Sequence, residues 1–126
     1  MDFPISFVAR TEPGRGRGKE MHVPTINLLL EDVHPALDDG IYACLVKIDG
    51  KKENAAMHLG PRPVFHDTKT CEVHLIDREV EKAPDMLTVE VVAYLRPVLD
   101  FPSEKALLEQ IQKDIADSRA ILKGHA

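Results

Sequence analysis

The feature that most constrains this chain is a two-residue turn. Gly40 to Ile48 reads Gly-Ile-Tyr-Ala-Cys-Leu-Val-Lys-Ile, a strand-forming run, and Asp49-Gly50 follows at once. Asp-Gly between apolar runs is the strongest short-range hairpin signal, because both turn residues must take positive φ. A return strand is expected over Ala55 to Leu59, with Gly60-Pro61-Arg62-Pro63 irregular after it, since two prolines each lack a ladder donor. Thr70 to Asp77 alternates, with Cys71, Val73 and Leu75 on one face and Glu72, His74 and Ile76 on the other. Leu87 to Arg96 alternates as well: Leu87, Val89, Val91, Ala93 and Leu95 against Thr88, Glu90, Val92, Tyr94 and Arg96. Apolar groups on both of its faces suit a strand that closes a barrel and also meets a helix. Ile5 to Arg10 and Ile26 to Leu30 read as two shorter strands, and Glu31 to Asp39 as a loop.

The tail changes period. Ser103 is a good N-cap, Glu104 suits the helix dipole, and Leu108, Ile111, Ile115 and Leu122 recur at helical spacing with Leu107 beside them. One helix of about 20 residues is expected, stopping near Gly124. So few strands leave exposed edges unless the sheet closes. The fold class is therefore mainly β: five or six short strands closed into a small barrel with one C-terminal helix packed outside, residues 1–126 forming one domain.

With 44% hydrophobic and 29% charged residues the chain can build an ordinary globular core. The formal charge of −5 argues against a nucleic-acid footprint, which wants clustered Lys and Arg. Six aromatics offer few platforms for base stacking, a second point against an RNA-binding barrel. No apolar run is long enough to span a membrane, and the start lacks a basic segment followed by an apolar one, so a cytoplasmic monomer is expected. Cys44 and Cys71 have no CxxC spacing and are expected to be reduced, buried thiols.

Four places could carry chemistry. Gly14-Arg15-Gly16-Arg17-Gly18-Lys19 is neither a Walker A loop nor a dinucleotide fingerprint: three residues separate Gly14 from Gly18, and Glu20 follows Lys19. Its glycines could still turn several N–H groups toward one anion, with Arg15, Arg17 and Lys19 adding positive charge; a solvated loop is the plainer alternative. In Pro24-Thr25-Ile26-Asn27, alternation puts Thr25 and Asn27 on one side. A hydroxyl and an amide oxygen are hard ligands suited to Mg²⁺ that keeps waters and phosphate oxygens, or they simply satisfy a turn. Glu72 lies mid-strand with His74 one alternation away, and must face water, pair with a cation or serve a site. Arg96, before Pro97, is either a surface cation or a ligand contact.

These signals come in a fixed order. The glycine-arginine loop precedes Pro24-Thr25-Ile26-Asn27-Leu28 and Gly40-Ile41-Tyr42-Ala43. Leu59-Gly60-Pro61-Arg62-Pro63-Val64-Phe65, Cys71-Glu72-Val73-His74-Leu75-Ile76 and Tyr94-Leu95-Arg96-Pro97 come next. Phe101-Pro102-Ser103-Glu104, Leu107, Gln110-Ile111 and Asp114 end the series. From about Phe7 to Leu122 the chain resembles the riboflavin kinase domain, whose Pro-Thr-Ala-Asn signature reads Pro-Thr-Ile-Asn here. The resemblance implies a six-stranded antiparallel Greek-key barrel with a C-terminal helix, which transfers the γ-phosphoryl of ATP to the 5′-hydroxyl of riboflavin, giving FMN. It implies Thr25 and Asn27 as Mg²⁺ and phosphate ligands, Gly14 to Lys19 as a lid over the nucleotide phosphates, and Glu72 as general base. Arg96 and His74 would lie toward the flavin. Two stretches depart from the family pattern: Met21-His22-Val23 before the signature proline, and Glu81-Lys82-Ala83-Pro84 before the last strand. A flavin- or nucleotide-binding barrel without turnover is the alternative.

Overall fold

The computed structural model describes residues 1–12, 25–61, 69–77 and 83–124. Six strands form a closed antiparallel barrel: β1 (Ile5–Glu12), β2 (Thr25–Leu28), β3 (Gly40–Ile48), β4 (Lys51–Pro61), β5 (Lys69–Leu75) and β6 (Met86–Arg96). One helix, α1 (Glu104–Leu122), follows. The order around the barrel is β1-β2-β5-β4-β3-β6. Strands β3, β4 and β5 run as consecutive neighbours and β2 returns beside β5, which is Greek-key winding. Closure is made by β1 on β6, in register from Ile5 opposite Val91 to Arg10 opposite Met86.

The hairpin forms where the dipeptide places it. Ile48 pairs with Lys51, and Asp49 and Gly50 take φ of 51° and 80°, the mirror-image turn that matches strand twist. The return strand is longer than Ala55 to Leu59. It starts at the turn and runs through Gly60 to Pro61, which pairs with Lys69. Gly60 carries φ of 139°, and a Cβ there would meet Val98 Cγ2 at 3.0 Å, so glycine is required. The loop read over Glu31 to Asp39 contains a short 3-10 turn, Leu30–Asp32, tied to β1 by Arg10.

One buried cluster fills the barrel, with Ile26, Leu28, Tyr42, Met57, Leu59, Val73, Leu87 and Val89 among its members. Cys44 and Cys71 belong to it as free thiols. Burial pushes Cys71 up to about 12 and Cys44 well above its ordinary value, so both stay protonated. A second cluster lies outside the wall, where α1 sets Leu122 against Ala43 and Leu45, flanked by Val92, Ala93 and Leu95.

Here simple alternation fails. Cys44 pairs with Val91 but Ala43 pairs with Ala93, so Val92 is an extra residue in β6. The bulge turns Ala93 and Leu95 from the core side to the helix side. The helix face differs too. Its buried residues are Leu107, Asp114, Ser118 and Leu122, two of them polar. Ser103 caps the first turn by accepting from Ala106 N at 3.1 Å.

Candidate active site

The β2–β5 register assembles the site. Asn27 lies directly opposite Glu72, and Thr25 directly opposite His74. The alternate residues Ile26, Leu28, Cys71 and Val73 belong to the core, so all four polar side chains leave the barrel on its outer face. Opposed Cβ atoms stand about 4.5–5.5 Å apart. A hydroxyl, an amide, a carboxylate and an imidazole from two sequence-distant segments thus share one small patch. Glu72 is only 7% exposed despite facing outward, so its carboxylate sits in a sheltered position rather than in open solvent.

Extending each pairing shows what borders the patch. Glu12 on β1 pairs with Asn27, and His58 on β4 pairs with Glu72. His58 is the residue the sequence reading missed. Alternation with Ala56 could have put it on the outer face, but only the β4–β5 register sets it beside Glu72. On the His74 side the neighbour is Ala56, a small residue. Gly14, Arg15, Gly16, Arg17, Gly18 and Lys19 lie outside the described residues, as do Met21-His22-Val23, Arg62 to Phe65, and Glu81 and Lys82. Segment 13–24 joins the end of β1 to the start of β2, the strand that carries Thr25 and Asn27.

As to a metal, the donors fit Mg²⁺. Thr25 and Asn27 offer neutral hard oxygens on one face, two residues apart. Among the described residues no group of three or more His, Cys, Asp or Glu could hold a metal ion. Two neutral protein ligands leave most of the coordination to phosphate oxygens and water, which is how Mg²⁺ is commonly held.

A family model for riboflavin kinase (Flavokinase) matches residues 1–122. The chain belongs to the riboflavin kinase family. Riboflavin kinase of Yarrowia lipolytica is 30% identical, over 97% of this chain and 83% of that protein. Human riboflavin kinase is 29% identical, over 87% and 76%. The bifunctional riboflavin kinase/FMN adenylyltransferase of Bacillus subtilis is 29% identical over 80% of this chain, which spans 33% of that longer protein. The crystal structure of riboflavin kinase from Trypanosoma brucei shares the fold, with a TM-score of 0.63 at 20% identity, covering 98% of this chain and 83% of that one. Riboflavin kinases phosphorylate riboflavin to FMN with ATP, and this chain carries their barrel and helix.

Within that family frame, Arg96 stands away from the patch. It ends β6, three strands from β5, and three of its five N–H donors are engaged. Nε donates to Asp114 Oδ1 at 2.9 Å, Nη2 to Asp114 Oδ2 at 2.7 Å and Nη1 to the Pro97 carbonyl at 3.0 Å. The guanidinium also lies over Phe101, 5.8 Å from the ring centre. This two-pronged bond fastens α1 to the end of β6. Five residues further along the helix, Arg119 bonds Asp77 just past β5, at 2.6 and 3.1 Å. A separate cavity of about 270 Å³ opens under the β2–β3 connection, lined by Leu30, Val33, Pro35, Leu37, Leu59 and Lys69 among others. Of the rewritten stretch, Ala83 packs on the core and the Pro84 carbonyl accepts from Thr11 Oγ1 at 2.6 Å. No helix among the described residues is long and apolar enough to cross a membrane.

Proposed function

We propose that phosphoryl transfer from ATP to riboflavin takes place on the outer patch of β2 and β5, with Glu72 as general base. The observation that carries this reading is the direct pairing of Asn27 with Glu72, which sets a carboxylate beside an amide. Phosphoryl transfer asks chiefly for in-line positioning and neutralisation of spreading charge. Thr25 and Asn27 hold the Mg²⁺-nucleotide through their oxygens. Bound there, Mg²⁺ supplies charge neutralisation on the phosphoryl oxygens. The resemblance assigns the nucleotide phosphates to the N–H groups and cations of Gly14 to Lys19, in place of a P-loop lysine. Glu72 takes the proton of the ribityl 5′-hydroxyl as its oxygen bonds to the γ-phosphorus. The bond to the bridging oxygen breaks and ADP leaves.

On the flavin side, His74 borders the patch one alternation from Glu72. Arg96 serves the flavin through the wall it holds, with three of its five N–H groups on Asp114 and Pro97. The substrates are riboflavin and ATP, and the protein acts as a cytoplasmic monomer without nucleic acid or membrane. The test is to incubate the protein with riboflavin, ATP and Mg²⁺ and separate the flavins by chromatography. FMN should accumulate with Mg²⁺ and not with excess chelator. Tight flavin binding with no FMN formed would instead favour a binding module.

A further inference from the structure

The Asn27–Glu72 pair continues into a third member. His58 on β4 lies directly opposite Glu72, as Asn27 does on β2, so the carboxylate stands in the middle of a three-residue row. Neighbouring Met57 and Leu59 belong to the core, which puts the His58 ring on the outer face with Glu72. Each of the two is only 7% exposed. Opposed Cβ atoms are about 4.5–5.5 Å apart, so a buried ring and a buried carboxylate must divide one gap between them.

The ring is pinned as well. His58 Nε2 lies 3.1 Å from the Pro61 carbonyl, which can only accept, so Nε2 carries hydrogen. Pro61 is the last residue of β4, and Gly60 before it has positive φ. The bond therefore fixes both the strand end and the plane of the imidazole. A fixed ring on the β4 side leaves the Glu72 carboxylate the β2 side, where Asn27 and the nucleotide would be. Ala56, the next outward residue on β4, is too short to bound a neighbour in this way.

We propose that His58 is a positioning residue for Glu72, holding the carboxylate toward the reacting hydroxyl. This rests on Glu72 being the base. The test is a double-mutant cycle with Glu72→Gln, His58→Ala and the double variant, read as kcat and KM for both substrates. His58→Ala should lower kcat about tenfold and leave each KM within about twofold, since misplacing a catalytic group by about 1 Å can cost a hundredfold. His58→Gln keeps an N–H for Pro61 and should recover most of that loss. In the Glu72→Gln background, His58→Ala should cost nothing further, because residues acting as a unit are not additive. The same tenfold loss in both backgrounds would overturn the proposal, as would an unchanged kcat or a change confined to KM. Should His58→Ala not fold, His58→Thr suits a strand but is too short to bound Glu72, and runs the same cycle with the same expectation. Full turnover by Glu72→Gln alone would remove the base itself, a failure seen before any His58 variant is made.

Discussion

One row of residues crosses the outer wall of the barrel from Thr25 through His74, Ala56 and Ala43 to Ala93. Its two halves have opposite chemistry. On β4, β3 and β6 it is all alanine, and there α1 lies against the wall with Leu122 on Ala43. On β2 and β5 it is a hydroxyl and an imidazole, with Asn27 and Glu72 in the adjoining row. A helix can approach a sheet closely only over small side chains. A substrate site needs convergent polar groups, which a filled barrel cannot keep inside. The interior does stability alone, and the outer wall is divided between a docking face and a chemical face.

The sharpest way to break this division is Glu72→Gln. Turnover should fall about 10²–10⁴-fold, the usual worth of a general base, with the urea midpoint little changed. A large loss of stability in place of turnover would put Glu72 on the structural side. Next in size is Asp114→Ala on the helix side. Removing one partner of a buried pair strands the other, and should cost about 3 kcal/mol in urea unfolding, while kcat of the folded protein stays near wild type. A similar drop in kcat would mean that the docking face also shapes the site.

The row itself offers a smaller, paired test. Ala43→Leu overfills the gap below α1 and should destabilise by about 1–3 kcal/mol without lowering kcat. Thr25→Ala, in the same row, should shift stability by less than about 0.5 kcal/mol yet raise the Mg²⁺ concentration needed for half-maximal turnover. The smallest effect belongs to Arg10 and Asp32, an exposed pair that ties the 3-10 turn to β1. Hydrogen bonds from the Arg10 side chain and backbone hold Asp32 down to about 2. A lowered carboxylate value stabilises the fold above its unfolded value of about 3.9, and the benefit disappears as pH falls toward 2. In Arg10→Ala, NMR titration should find Asp32 risen part of the way toward the ordinary carboxylate range, since the backbone N–H still donates, with turnover at neutral pH unaffected.

Much of this division was legible before any coordinates. Asp49-Gly50 located the hairpin, because few dipeptides take positive φ twice. Alternation put Thr25 with Asn27 and Glu72 with His74 on shared faces. It could not say that the two pairs meet, since the β2–β5 register depends on how distant strands close the barrel. His58 escaped notice for the same reason. The Val92 bulge has no signature in the sequence, so Ala93 and Leu95 were read onto the wrong face. Asp114 entered only as the last residue of the family series, and its partner Arg96 was left open between a surface cation and a ligand contact. Only packing 18 positions apart makes them one clamp.

The central claim is that the nucleotide's metal seats between Thr25 and Asn27, beside Glu72. Crystals soaked with Mn²⁺ and ADP test it directly. We expect an anomalous peak about 2.0–2.2 Å from both Thr25 Oγ1 and Asn27 Oδ1, on the Glu72 side of the wall. A peak seated elsewhere, with those two oxygens turned away from it, would contradict the account.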